Sequence, residues 1–166
     1  MATYRLAEAA DVPVIVAFFN PVAGQTRPYD SVKNMGYFEV EPFTASGLLR
    51  DLDRPREKWA LAFDNAGKLR GFLQLVFSKM GDRVCWWGHF GLDPNISLAS
   101  IRTHRNTIAK LLVGLIPDGF TLIVPFVSPS ATIANEWLAA KMGAPEKMEN
   151  GRLLYAVPIE TLRLVA

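Results

Sequence analysis

Tyr4 and Leu6 flank the polar Arg5 in the alternation of a short strand. Asp11 follows as an N-cap, and the apolar run VPVIVAFF at 12–19, with Pro13 in its first turn, predicts a helix. Asn20-Pro21 stops it, and residues 20–45 hold Gly24, Pro28, Gly36 and Pro42 without a period, so an irregular segment is expected there. TASGLLRDLD at 44–53 reads as a short helix and KWALAF at 58–63 as a strand. Asp64-Asn65-Ala66-Gly67 supplies turn residues, after which Leu73, Leu75 and Phe77 alternate with Gln74 and Val76. Met80-Gly81-Asp82 then turns the chain into VCWWGHFGL at 84–92, which makes the middle of the chain an antiparallel meander.

From Ser97 the period lengthens, because Ile101, Ile108, Leu111, Leu112 and Leu115 share one face of a 3.6-residue repeat. That helix closes before Pro117-Asp118-Gly119. FTLIVPFV at 120–127 is a buried strand in which Pro125 cannot donate to a ladder, so a bulge or a splay is expected there. Ser130 can cap a last helix carrying Ile133, Trp137, Leu138 and Met142, with Gly143 as its C-cap, and RLLYAVPIE at 152–160 closes the chain as a strand. The order β-α-α-β-β-β-α-β-α-β predicts an α/β (α+β) fold, a mixed sheet with helices on its faces.

Composition narrows the function classes. The chain has 166 residues, half of them apolar and 20% charged, which suits one domain spanning 1–166 with a single core. A net charge of +2 gives no global field for nucleic acid or an anionic membrane. The longest apolar run falls far short of the roughly 18 residues of a membrane span, and no secretory signal is evident, so a cytoplasmic location is expected, bacterial or in a phage-infected host. Cys85 is the only cysteine, which excludes an internal disulfide, and two histidines without ligand spacing do not make a zinc site.

YRLAEAADVPVIVAFF, WALAF, GFLQLVF, GHFGLDP and LAAKMGA at 138–144 follow one another as the corresponding segments do in the GNAT superfamily of N-acetyltransferases, which the chain resembles over nearly its whole length. LAAKMGA is similar to the family's LYEKLGF-like helix end, and Leu92-Asp93-Pro94 to the V-D-P that ends its fourth strand. The resemblance implies a mainly antiparallel mixed sheet whose strands 84–92 and 120–127 splay apart. It also implies that acetyl-CoA lies in that splay, its pantetheine amides paired with exposed backbone around Phe90 and Leu92. The pyrophosphate would sit at the N-terminus of the following helix, where free N–H groups and the helix dipole favour an anion.

Two departures stand out. The family's Gln/Arg-x-x-Gly-x-Gly/Ala loop is missing, the stretch NISLASIRTHRNTIAKLL being longer and free of glycine, and Ala139 stands where many members carry the tyrosine that protonates the leaving thiolate. In place of the glycine loop, Arg102, Thr103, His104, Arg105, Asn106 and Thr107 are the candidates for the phosphates, against the plainer reading of a solvated helix face. His89 is a candidate general base and Asp93 another, against the plainer reading of a hydrogen-bonded structural histidine. By alternation His89 shares a side with Cys85, Trp87 and Asp93. A straight strand would hold Cys85 and His89 roughly 13 Å apart, too far for a dyad. Trp86, Trp87 and Phe90 line a cleft or the core.

Two functions remain open from the sequence. One is an acyl-CoA-dependent N-acyltransferase acting on a small-molecule or protein amine. The other is a non-catalytic GNAT-like assembly protein, such as a component of a short-tailed phage particle, whose partners would be other virion or self subunits.

Overall fold

The computed structural model of the chain describes residues 3–20, 42–79, 81–93 and 98–165, with the backbone alone at 89, 90, 92, 98, 100–105 and 108. Where the sequence alternates it forms β1 (Thr3–Leu6), β2 (Glu57–Phe63), β3 (Leu69–Phe77) and β4 (Val84–Leu92). Between β1 and β2 stand a 3-10 turn (Ala9–Asp11), α1 (Val12–Phe19) and α2 (Ala45–Leu52). The lengthened period gives α3 (Leu98–Leu115), followed by β5 (Thr121–Val127), α4 (Thr132–Met142), β6 (Glu146–Lys147), β7 (Leu153–Pro158) and α5 (Ile159–Val165).

One sheet takes up all seven strands in the order β1-β2-β3-β4-β5-β7-β6. Every neighbouring pair is antiparallel except β4 and β5, whose parallel pairing requires the crossover that α3 supplies. Side-chain alternation sorts the core into two layers. Leu73, Leu75, Cys85, Trp87, Leu122 and Tyr155 face α3, α4 and α5. On the opposite face Trp59, Leu61 and Phe72 pack against α1 and α2. The fold is therefore the mixed, mainly antiparallel α/β sheet with helices on both faces that the sequence implied.

Five local details differ from the sequence reading, the first being the two-residue strand β6, which the predicted order did not contain. Residues 71–75 of β3 are buried on both faces because helices cover both, so the alternation there does not mark a wet side. Asp11 is not a side-chain N-cap. Its carboxylate accepts the Glu8 N–H at 2.8 Å and both Arg5 terminal nitrogens at 2.7 Å, which ties the start of α1 to β1. Ser130 does not cap α4 either, since its hydroxyl pairs with that of Ser128 at 2.9 Å and Ala131 stands at the N-cap with no side-chain bond. The closing strand ends at Pro158, and α5, which the sequence reading missed, follows it directly.

Of the segment expected to be irregular, 21–41 lies outside the described residues. The chain leaves and re-enters the described structure at adjoining points, because the Asn20 side-chain amide donates to Phe43 O at 3.0 Å and accepts from Phe43 N at 2.9 Å. The Phe19 and Phe43 rings stack 4.4 Å apart beside this clasp. Among the described residues no helix is long and apolar enough to cross a membrane.

Candidate functional site

The parallel ladder between β4 and β5 is short. Val84, Cys85 and Trp86 pair with Thr121, Leu122 and Ile123, and among the described residues the two strands share no ladder pair beyond that point. Each strand also carries a bulge where they part. Three steps of β4, Trp87 to Phe90, oppose two steps of β3, Leu75 to Leu73. Three steps of β5, Val124 to Val127, oppose two steps of β7, Tyr155 to Leu153. An extra residue bends its strand and increases its local twist, so two bulges at one level turn neighbouring strands away from each other.

Pro125 falls inside the β5 bulge, as its missing N–H favours, and Phe126 beside it takes a left-handed φ of 60°. The Phe126 N–H reaches the Met148 Sδ at 3.4 Å, a bond on the β7 side of the strand. The opening between β4 and β5 is thus bordered by backbone that is not spent on pairing across it. An extended ligand with amides of its own can pair there as an added strand does.

The β4 bulge is braced from the α1/α2 face. Gln74 is 6% exposed, and its Nε2 donates to Glu57 Oε2 at 3.0 Å. A Cβ on Gly88 would lie 2.4 Å from Gln74 Oε1, so only glycine lets the buried amide lie across the strand at this point. Glu57 Oε1 in turn accepts from Arg54 Nη1 at 3.0 Å. A polar residue in the middle of an apolar strand was the sequence signal for Gln74, and neither it nor Glu57 was singled out from it.

His89 lies in the bulge, with its backbone at the opening, and Phe90 stands opposite Leu73. The extra residue breaks the alternation, so the face assignment counted from Cys85 holds only as far as Trp87. Asp93 follows β4 directly. Its carboxylate accepts from Arg70 Nη1 at 2.6 Å, its N–H donates to Arg70 O at 2.8 Å, and its side chain is 8% exposed. Arg70 Nε also bonds Asp64 Oδ2 at 2.8 Å, and these two carboxylates hold its guanidinium above its ordinary pKa.

The backbone of 102–105 lies in the first turns of α3, as expected from the sequence. Asn106 is exposed, and the Thr107 hydroxyl is hydrogen-bonded to Tyr4 of β1, whose pKa burial raises. Residues 94–97, and with them most of the insertion between β4 and α3, lie outside the described residues. Cys85 is fully buried and desolvation pushes its thiol up to about 12, which removes it as a nucleophile. Trp87 is buried, whereas Trp86 is 41% exposed.

Ala139 lies exposed on α4. Tyr155 does not stand in for the missing acid, because it is buried and its hydroxyl donates to Asn135 Oδ1 at 2.7 Å. Among the described residues no cluster of His, Cys, Asp and Glu could hold a metal ion.

No family model matches the chain, and no curated protein matches it in sequence. Its shape does match solved structures along its whole length. It is similar to a spermidine N-acetyltransferase from Vibrio cholerae, solved with CoA and spermine, at 16% identity and a TM-score of 0.64, with 98% of each chain covered. It is similar to the ribosomal-protein-S18-alanine N-acetyltransferase from Escherichia coli at 16% identity and a TM-score of 0.59, with 96% of this chain and 94% of that one covered. A nucleotide-linked sugar GNAT matches at 13% identity and a TM-score of 0.65, with 99% and 90% covered. At these identities the likeness carries the fold.

Proposed function

The chain has the GNAT fold, and from that premise we propose that it is an acyl-CoA-dependent N-acyltransferase. The observation that carries the reading is the opening between β4 and β5, which are paired over three residues each and then part between two bulges. An acyl-CoA offers what such an opening needs, an extended arm whose amides pair with free strand backbone and a thioester carried at its end. One of the solved structures similar to this chain holds CoA and spermine.

In this reading the acceptor amine attacks the thioester carbonyl directly. The C–N bond forms, the C–S bond breaks, and the amine's proton leaves to a base. Of the two acid–base candidates, Asp93 is committed to Arg70 and fixes the end of β4. His89, whose backbone lies in the bulge at the opening, is the base. Among the described residues no tyrosine is placed to replace the one missing at Ala139, and in this reading the thiolate takes its proton from water or from protonated His89. The phosphates of the cofactor fall to Arg102, Thr103, His104, Arg105 and Asn106, whereas the Thr107 hydroxyl is taken by Tyr4. The assembly alternative draws on the missing glycine loop and the missing tyrosine alone.

The test is thermal unfolding with acetyl-CoA. A ligand at 100 times its Kd adds about 2.7 kcal/mol to the folded state, so a clear rise in Tm is expected at millimolar concentration. The absence of any shift overturns the reading. If the cofactor binds, Arg102→Ala together with Arg105→Ala weakens it, and His89→Ala lowers turnover while leaving Tm in place.

A further inference from the structure

Helices α1 and α2 cover the sheet at the Trp59–Gln74 and Leu61–Phe72 pairs but stop short of the next row. That row runs across four strands as Glu57, Val76, Trp86 and Ile123, directly paired in turn and therefore on one face. Over it lies a cavity of about 530 Å³, rimmed by Arg54 and Arg56 of the α2–β2 connection and walled by Trp86. The opposite face at this level is covered by α3, α4 and α5. An acceptor approaching the opening beside Gly88 therefore has this face to lie on.

The polar groups of the cavity are unequally spent. Arg54 is held by Asp51 at 3.3 Å and by Glu57 at 3.0 Å, and both Glu57 oxygens are engaged, one by Arg54 and one by Gln74. The Arg56 guanidinium has no ion pair or hydrogen bond among the described residues, and the indole of Trp86 is 41% exposed beside it. What remains free is one guanidinium and one aromatic face, a pair that suits an anion on an apolar body and disfavours a cation. Trp86 stands two residues before Gly88, so roughly 7 Å of strand separates the cavity from the bulge.

We propose that the cavity over Glu57, Val76 and Trp86 is the acceptor pocket, and that it takes an amine whose opposite end is a carboxylate, with an apolar or aromatic body between them. The carboxylate sits on Arg56, the body lies along Trp86, and the amine reaches the bulge. A polyamine is disfavoured there, because it meets the Arg56 guanidinium, unpaired among the described residues, while both Glu57 oxygens are already engaged by Arg54 and Gln74. The assignment rests on the acyltransferase reading.

Titration calorimetry on the full chain tests it with 4-(aminomethyl)benzoate, 4-(aminomethyl)benzamide and spermidine, beside the acetyl-CoA thermal shift on the same samples. The benzoate is expected to bind at least tenfold more tightly than the benzamide, and spermidine not at all. Arg56→Gln, at an exposed position, abolishes that preference while leaving the benzamide unchanged, and Trp86→Ala weakens both. Equal binding of the two aromatic probes, no binding of either, or preferred binding of spermidine overturns the acceptor class even if acetyl-CoA binds. The carboxylate preference without an acetyl-CoA shift overturns the acyltransferase reading and leaves the anion pocket standing.

Discussion

At Gly88 a hydrogen in place of a methyl decides where a buried amide lies. Alanine there would place Cβ 2.4 Å from Gln74 Oε1 and 3.0 Å from its Cδ, so the amide must swing away from Glu57. Losing a hydrogen bond to a charged group in a buried setting costs about 1.5–3 kcal/mol. Once Gln74 is truncated the clash disappears, so Gly88→Ala added to Gln74→Ala is expected to cost less than the sum of the two single changes. A double-mutant cycle in denaturant reads this directly, and additivity within about 0.5 kcal/mol would break the link. The Arg5–Asp11 pair carries a pH signature at the same scale. Arg5 holds the Asp11 carboxyl below its ordinary value of 3.8, so the pair's contribution is complete above that value and fades as pH falls through the lowered one. Arg5→Gln should therefore cost about 1–2 kcal/mol at neutral pH, between an exposed ion pair and a bond to a buried charge. The gap between variant and parent should close below about pH 4 when Tm is followed with pH.

Among the elements, α2 and β5 show how much of their geometry is local. Thr44 caps α2, its Oγ1 accepting the Gly47 N–H at 3.1 Å, so Thr44→Ala is expected to cost about 1 kcal/mol in chemical denaturation. The cap is a short-range signal, and the sequence placed this helix within a residue of its observed ends. In β5 the proline marked the bulge correctly, yet the residue that takes the left-handed conformation is Phe126. A β-branched side chain tolerates that φ poorly, so Phe126→Val should destabilise by about 1–2 kcal/mol. Phe126→Gly should stay within about 0.5 kcal/mol of the parent, because relief of the backbone offsets the freedom glycine adds to the unfolded chain. Asn20 was legible as the stop of α1. Its second role, clasping Phe43 across 23 residues of sequence, was not, because nothing near Asn20 records which backbone its amide will meet.

For the whole molecule, the two core layers lie on opposite faces of one sheet. Leu61 belongs to the layer under α1 and α2, and Leu122 to the layer under α3, α4 and α5. Each truncation to alanine is expected to cost about 2–5 kcal/mol in denaturant unfolding. Because the two residues share no partner layer and three strand spacings separate them, the double variant should add to within about 0.5 kcal/mol. A large departure from additivity would mean that the layers repack as one.

What the sequence by itself determined is what its periods and punctuation record over a few residues. The change from period two to 3.6 after residue 97, the glycine turns and the order of elements were enough for the mixed sheet with helices on its faces, and Pro125 for a bulge or splay in β5, while the parting of strands 84–92 and 120–127 was implied by the family resemblance. Burial follows such patterns because a strand or helix turns its apolar side inward whatever lies opposite. The candidate site was read less well. The brace of Glu57 on Gln74 over Gly88, the capture of Asp93 by Arg70 and the exposure of Trp86 beside a buried Trp87 all depend on register between strands. A one-residue bulge shifts that register without altering the pattern of either strand. Only tertiary structure decides it, because the partners are chosen by which residues the whole sheet brings opposite one another.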